Sequence, residues 1–305
     1  MQAVLDAYAG LRPRPLHILT PEEARAQPSH TDAFKQVLLS QGRDTAGPAL
    51  VPGVQSTDAT IPGPAGELPV RIYTPEGTGP FPVVVYFHGG GWVIANRVVY
   101  DLGARGLAQQ AGAVVVSVDY RLAPESKFPA QHEDAFAAYQ WALTSAADVN
   151  GDPTRVALAG ESAGGNLAVA TAIAARDAGL QLPAHVLSVY PIAQPDTTTR
   201  AYLENANARP LNRPAIPWFA GHTFSTPAGA NLAGLPGVTI VNAEIDPLRT
   251  DGELLEQALR AAGVAVERRL FEGATHEFFG MAAAVADAQE AQTYAGQRLA
   301  VAFGS

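Results

Sequence analysis

The run Arg155-Val156-Ala157-Leu158-Ala159-Gly160-Glu161-Ser162-Ala163-Gly164 decides the fold. An apolar, strand-like stretch ends in G-x-S-x-G, and a helix-like stretch from Gly165 to Arg176 follows at once. A serine hydroxyl is a weak nucleophile until it is exposed and another group takes its proton. A sharp strand-to-helix turn exposes it. The flanking residues must be small because the turn is strained and neighbouring chain passes close. The helix that begins there points its free N–H groups and its positive end at the reacting centre. In a chain this rich in Gly and Ala the bare pattern arises by chance. With a strand before it and a helix after it, Ser162 reads as a nucleophile rather than an ordinary turn serine.

A second run lies upstream, His88-Gly89-Gly90-Gly91-Trp92, after the apolar stretch Val83-Val84-Val85-Tyr86-Phe87, which reads as a buried central strand. Consecutive glycines let the backbone turn its N–H groups toward one point. Acyl transfer needs such donors, because a carbonyl oxygen becomes an anion in the tetrahedral intermediate. In a G-x-S-x-G hydrolase the partner donor is the N–H after the nucleophile, here Ala163. A phosphate-binding reading is weaker: no Gly-Lys-Ser/Thr follows, and the spacing is not G-x-G-x-x-G.

Six motifs in order extend this reading. After His88–Trp92 come Asp119-Tyr120-Arg121-Leu122-Ala123-Pro124-Glu125, Phe128-Pro129-Ala130, Gly160–Gly165, Asp246-Pro247-Leu248-Arg249 and Gly273-Ala274-Thr275-His276-Glu277-Phe278. Together, from about residue 55 onward, they resemble the hormone-sensitive-lipase-like (bacterial family IV) esterases of the α/β-hydrolase superfamily. The resemblance implies a mostly parallel eight-stranded sheet flanked by helices, with a helical cap. It further implies an oxyanion hole from Gly90, Gly91 and Ala163, a brace beside it from Asp119 and Glu125, and a homodimer through the sheet edge. Glu161 departs from the family, which more often carries Asp or Thr there. The first 50 or so residues match least.

Alternating strands and helices predict the same α/β architecture. Strands are expected at 54–61, 68–73, 83–87, 113–118, 155–159, 186–190, 238–243 and 264–271, with helices at 98–111, 130–144, 163–178, 250–262 and 282–301. Two segments break the alternation. Residues 1–50 read as short helices (5–10, 21–26, 31–40) joined by proline-rich turns, and residues 194–235 as helices 194–207 and 214–224 between two strands. The resemblance implies that these form the two parts of the cap, around a catalytic domain of residues 51–193 and 236–305. Trp218, Phe219 and Phe224, with Trp92 opposite, are then expected to line the substrate pocket; the plainer alternative is that they glue the cap to the body.

A serine nucleophile needs a base and an acid to orient it. Of seven histidines, His17 and His30 fall in the N-terminal segment and His222 in the insertion, while His132 begins a helix and His185 precedes a strand. His88 reads as a brace of the glycine loop. His276 follows the last strand, where a loop at a carboxyl end reaches over Ser162, and completes the order Ser…Asp…His. Asp246, after strand 238–243, is the expected acid. Its rivals are Glu244 and Asp251, the latter reading better as a first-turn charge on the helix dipole. Arg121 and Glu125 read as structural.

Composition narrows the partners. The net charge of −9, without a basic cluster, argues against nucleic acid, and no apolar run approaches a membrane span. The chain has no cysteine, hence no thiol nucleophile and no disulfide framework. No H-E-x-x-H or clustered ligand pattern appears, so neither metal nor cofactor is implied. Residues 1–23 lack a signal-type apolar core, which leads to an expectation of a cytoplasmic location. The expected partner is a small ester. A modest segment rich in Pro, Asn and Ala favours short acyl chains over the large apolar lid of a lipase. The alternatives are a lactone, amide or carbamate hydrolase, an acyltransferase, or a non-catalytic small-molecule receptor on the same scaffold.

Overall fold

The computed structural model describes residues 1–194, 196–222 and 230–304. Strands β1 (Val54–Gly63) and β2 (Gly66–Pro75) form a hairpin, followed by β3 (Phe81–Phe87), β4 (Val114–Val118), β5 (Gly151–Glu161), β6 (Val186–Val189), β7 (Val238–Ile245) and β8 (Val266–Thr275). They build one eight-stranded sheet in the order β1-β2-β4-β3-β5-β6-β7-β8. The pairs β1/β2 and β2/β4 are antiparallel, and every pair from β4 to β8 is parallel. The eight expected strands are all present, most of them one to four residues longer than their apolar runs.

The order reverses at β3. From there the chain steps outward to β4, then returns across β3 to reach β5. Loops leaving β3 and β5 therefore open beside one another at the carboxyl edge, where open α/β sheets bind ligands. The pairing Phe87↔Gly160 puts the glycine run and Ser162 side by side. Loops leaving β7 and β8 follow along the same edge.

Alternate side chains of the strands feed two cores, as the pleat requires. Val84 and Tyr86 of β3 join the core beneath α5 (Asp101–Ala111) and α11 (Ala286–Phe303), whereas Val83, Val85 and Phe87 join the core beneath α6 (Ala130–Ser145), α7 (Ala163–Asp177) and α10 (Arg249–Ala261). Every residue of β3 and β4 is buried, which is why their sequences are continuously apolar rather than alternating. Each valine or leucine buried this way contributes about 1.5–3 kcal/mol of transfer free energy.

The N-terminal segment holds α1 (Gln2–Gly10), α2 (Pro21–Arg25), α3 (His30–Ser40) and α4 (Gly47–Leu50). Thr20 with Glu23, and Ser29 with Asp32, make reciprocal caps that start α2 and α3. Phe34 and Leu38 anchor α3 in the main core. Arg25 grips the body: it donates to both carboxylate oxygens of Glu125 at 2.8 Å and to the carbonyls of Val93 and Ala123 at 2.8 and 2.7 Å.

The segment between β6 and β7 is less helical than its composition suggests. Among the described residues only α8 (Arg200–Glu204) forms within the expected helix 194–207, because Gln194 and Asp196 spend their side chains on local backbone turns. The second expected helix appears as α9 (Ala215–His222); Phe224 lies outside the described residues. Phe219, Ile216, Leu211 and Tyr202 form a third, smaller core with Val93, Ala123 and Leu248.

Asp251 is not a surface charge on a helix end. It is fully buried, accepting from the backbone amides of Ala193 and Gln194 at 2.9 and 3.3 Å and from the Gln194 side chain at 3.0 Å. Burial pushes its carboxyl up to about 7. It thus ties the exit of β6 to α10. Asp251→Ala leaves two buried amides without an acceptor and should lower unfolding free energy by about 1–3 kcal/mol. Urea denaturation measures this; a loss under about 0.5 kcal/mol would restore the reading as a mere dipole partner.

Candidate active site

Ser162 sits between β5 and α7 with φ 56° and ψ −116°, a strained conformation for a residue with a side chain. The backbone holds it there: its N–H donates to Val189 O at 2.8 Å, and α7 starts with Asn166 N bonded to Ser162 O at 3.1 Å. A Cβ on Gly164 would overlap the Phe87 carbonyl oxygen, and one on Gly160 the Gly164 carbonyl. Small neighbours are therefore a steric requirement. Serine is a favoured N-cap residue, yet the Ser162 hydroxyl does not cap α7. It meets His276 Nε2 at 3.0 Å instead.

His276 leaves the end of β8. Its Nδ1 lies 2.7 Å from Asp246 Oδ2, at the end of β7. The other carboxylate oxygen of Asp246 accepts from Leu248 N at 2.8 Å, which fixes the acid in place. Both residues are buried. The ring of Tyr190, at the exit of β6, lies 4.6 Å from the imidazole. The four carboxyl-edge loops of β5, β6, β7 and β8 thus supply Ser162, Tyr190, Asp246 and His276. Burial works against an imidazolium here, but the Asp246 carboxylate, helped by Glu277, outweighs it and holds the His276 pKa above its ordinary value.

The glycine run curls over Ser162. Gly90 and Gly91 have φ of 97° and 58°, and a Cβ on Gly91 would strike the Phe219 ring. Among the described residues the Gly90 and Gly91 amides donate to no protein acceptor, and Ala163 N–H is one of the unpaired amides of the first turn of α7. Gly90, Gly91, Ser162 and His276 all face one cavity of about 270 Å³. Free amides beside a hydroxyl–imidazole–carboxylate chain can hold negative charge on the oxygen of a carbonyl that the hydroxyl attacks.

Of the groups expected to brace the loop, His88 and Asp119 lie beside each other there, whereas Glu125 pairs with Arg25. His88 stacks on Tyr120 with ring centroids 4.2 Å apart, and its Nδ1 lies 2.7 Å from Gly89 O. Burial lowers its pKa. Asp119 accepts from Arg97 N at 2.6 Å, Tyr120 OH donates to His88 O at 2.8 Å, and Arg121 pairs with Asp134.

Trp92 and Phe219 line the cavity, joined by Leu16, Ile192, Leu211 and Ile216. Trp218 does not. Its indole N–H donates to Leu19 O at 2.9 Å and its ring packs edge-on against Phe219 and His222, so it joins the two inserted segments to each other. Tyr8 and His30, from the N-terminal segment, also line the cavity. Sequence reading missed these two because nothing local marks them; only the folding of α1 and α3 over the sheet edge brings them in. Among the described residues no three His, Cys, Asp or Glu side chains group as a metal site, and no helix is long and apolar enough to cross a membrane.

Comparison with known proteins shows the family. A family model described as alpha/beta hydrolase fold matches residues 84–280. The carboxylesterase NlhH of Mycobacterium tuberculosis is 40% identical over 261 residues, covering 80% of this chain and 82% of that protein. An ethyl acetate hydrolase of Pseudomonas putida is 30% identical over 292 residues, covering 90% and 88% of the two chains. The solved esterase of Pyrobaculum calidifontis superposes with a TM-score of 0.85 at 31% identity, over 97% of each chain. The chain belongs to the α/β-hydrolase family, in its hormone-sensitive-lipase-like branch. It is an enzyme of the carboxylic-ester hydrolase class.

Glu161, the departure from the family pattern, proves to be a buried acid. Its carboxylate accepts from the hydroxyls of Tyr86 and Tyr190. Burial pushes its pKa up to about 8, against the pull of those two hydrogen bonds. The folded chain therefore keeps a proton between about pH 4.5 and 8 that the unfolded chain releases, and stability falls as pH rises through that window, by at most about 1.4 kcal/mol per pH unit from this group. Glu161→Gln removes the titration. From pH 5 to 8 the variant should gain stability relative to the parent, as read by thermal melts at matched ionic strength. A difference that stays flat across that range contradicts the assignment.

Proposed function

We propose that the chain hydrolyses short-chain carboxylic esters through an acyl-enzyme on Ser162. His276 Nε2 takes the hydroxyl proton as Oγ bonds to the ester carbonyl carbon, and the carbonyl electron pair moves onto oxygen. The amides of Gly90, Gly91 and Ala163 receive that oxyanion. As it collapses, the C–O bond to the alcohol breaks and His276 returns the proton to the leaving alkoxide. Water then repeats the sequence, giving up a proton to His276 and freeing the acid and Ser162. Asp246 keeps the imidazole oriented and stabilises it when charged. The observation that carries this reading is the chain of contacts at 3.0 and 2.7 Å from Ser162 through His276 to Asp246, on the edge where the unpaired amides of Gly90 and Gly91 also lie.

The size of the cavity, about 270 Å³, and its walls of Trp92, Phe219, Leu211 and Ile216 support a small acyl group. The ethyl acetate hydrolase relative is named for a two-carbon acyl ester. Residues 1–50 and the described residues of 194–235 act as a cap over this cavity, with Trp218 as the joint between them. The substrate is a small neutral ester, and neither nucleic acid nor membrane is a partner in this reading.

Ser162→Ala should lower kcat on p-nitrophenyl acetate by on the order of 10⁶, as losses at a serine triad do, with circular dichroism unchanged. Activity kept above a few per cent removes Ser162 from the mechanism.

A panel of p-nitrophenyl esters should show kcat/KM highest at two to six or so acyl carbons and falling at least tenfold by about twelve, because a chain longer than the cavity must leave apolar surface in water. A rising profile out to long chains contradicts the short-chain assignment.

A further inference from the structure

We infer that Glu277 is a second carboxylate partner of the catalytic histidine, acting through space on the His276 imidazolium from the Nε2 side. It is a positioning and electrostatic residue rather than one that handles the proton. This rests on the reading of His276 as the base.

Three observations carry it. Glu277 Oε1 lies 3.9 Å from His276 Nε2, too far to accept the proton directly but close enough for two charges to interact strongly in a site with little water. The side chain is 11% exposed and lines the Ser162 cavity. Its backbone has φ 69°, in the left-handed region that residues with side chains rarely adopt. The carboxylate is also held from behind. Tyr100 OH, at the start of α5, lies 2.7 Å from both oxygens, and His30 Nε2, on α3, lies 3.5 Å from Oε2.

The other groups around the histidine do not supply this charge. Asp246 is on the Nδ1 side. Glu161, at the end of β5, turns its carboxyl to Tyr86 and Tyr190, and burial pushes it up to about 8. Tyr86, Tyr100 and Tyr190 keep their phenolic protons, with burial raising each well above the ordinary value. Tyr8, on α1, is likewise raised by burial, and burial holds His30 and His88 toward the neutral form. Glu277 is the remaining carboxyl group on the Nε2 side of the ring, at 3.9 Å.

An anion in that position favours the imidazolium however it arises, by a proton from solvent or by the proton of Ser162. Removing the charge should therefore do two linked things. The acid-limb pKa of kcat/KM falls by about one unit, and the plateau at high pH falls by up to about the same factor, tenfold. The two effects cancel well below the acid limb, where parent and variant should have equal kcat/KM. A residue with only a structural role would depress the rate at every pH.

The experiment is the pH–rate profile of Glu277→Gln and Glu277→Asn on p-nitrophenyl acetate from pH 4.5 to 9. Asparagine tolerates positive φ, so at least one neutral variant is compatible with this backbone. A proton NMR titration of the His276 ring in the resting protein reads the same coupling without turnover. Curves that converge at low pH and part above the limb, with the His276 titration moved down by about one unit, support the proposal. An unmoved titration, a uniform loss, or a change confined to KM overturns it. Fluorophosphonate labelling of Ser162 in the parent tests the underlying mechanism separately: if labelling occurs and the curves do not converge, only the role of Glu277 fails.

Discussion

Everything at the site depends on one constraint, the backbone of Ser162 held at positive φ between a central strand and the helix that leaves it. The strain is sustained from three directions. The Ser162 amide is tied to Val189 on β6, Gly164 lies against the carbonyl of Phe87 on β3, and Gly160 passes under Gly164. Any of these contacts made larger would push the turn out of shape. The reward is a hydroxyl that stands clear of its helix. A serine in a relaxed N-cap would bond to the amides of α7, whereas this one is free to meet an imidazole.

The sheet order then decides which groups can reach that hydroxyl. Reversal at β3 puts the glycine loop next to the serine turn, and the parallel run β5-β6-β7-β8 lays Tyr190, Asp246 and His276 out along the same edge. The polar side chains of the site come from the carboxyl ends of these strands. The inserted segments close the arrangement from above. They hold together through Trp218 and Leu19, and they hold to the body through Arg25, Glu125 and Asp251.

The two buried acids around the histidine differ in their partners, not in their burial. Asp246 is enclosed but receives a backbone amide and the imidazole; Glu161 is enclosed with only phenols for partners and is driven toward its neutral form. This explains how a glutamate is tolerated directly before Ser162. Its length carries the carboxyl past Ser162 to Tyr86 and Tyr190, where it pairs with two buried hydroxyls.

By itself the sequence determined the eight strands and the five helices that cover the sheet, and it singled out Ser162, Asp246 and His276, which the fold brings into one chain of contacts. These are local signals: apolar runs of strand length, a glycine-flanked serine between strand and helix, and an acid and a histidine at strand ends in the order this fold uses. Tertiary structure alone decided what lies far apart in the chain. Asp251 looked like a helix-end charge because its spacing is right for one, and only the return of residues 193–194 made it a buried acceptor. Trp218 looked like a pocket residue because it is aromatic and lies in the insertion, yet the carbonyl that claims its indole belongs to Leu19, 199 positions away. His30, Tyr100 and Glu277 come from three separate elements, and no periodicity or motif announces their meeting. Periodicity and turn chemistry act over a few residues, so they specify elements. Contacts between distant segments depend on how those elements pack, and only packing could bring these groups together.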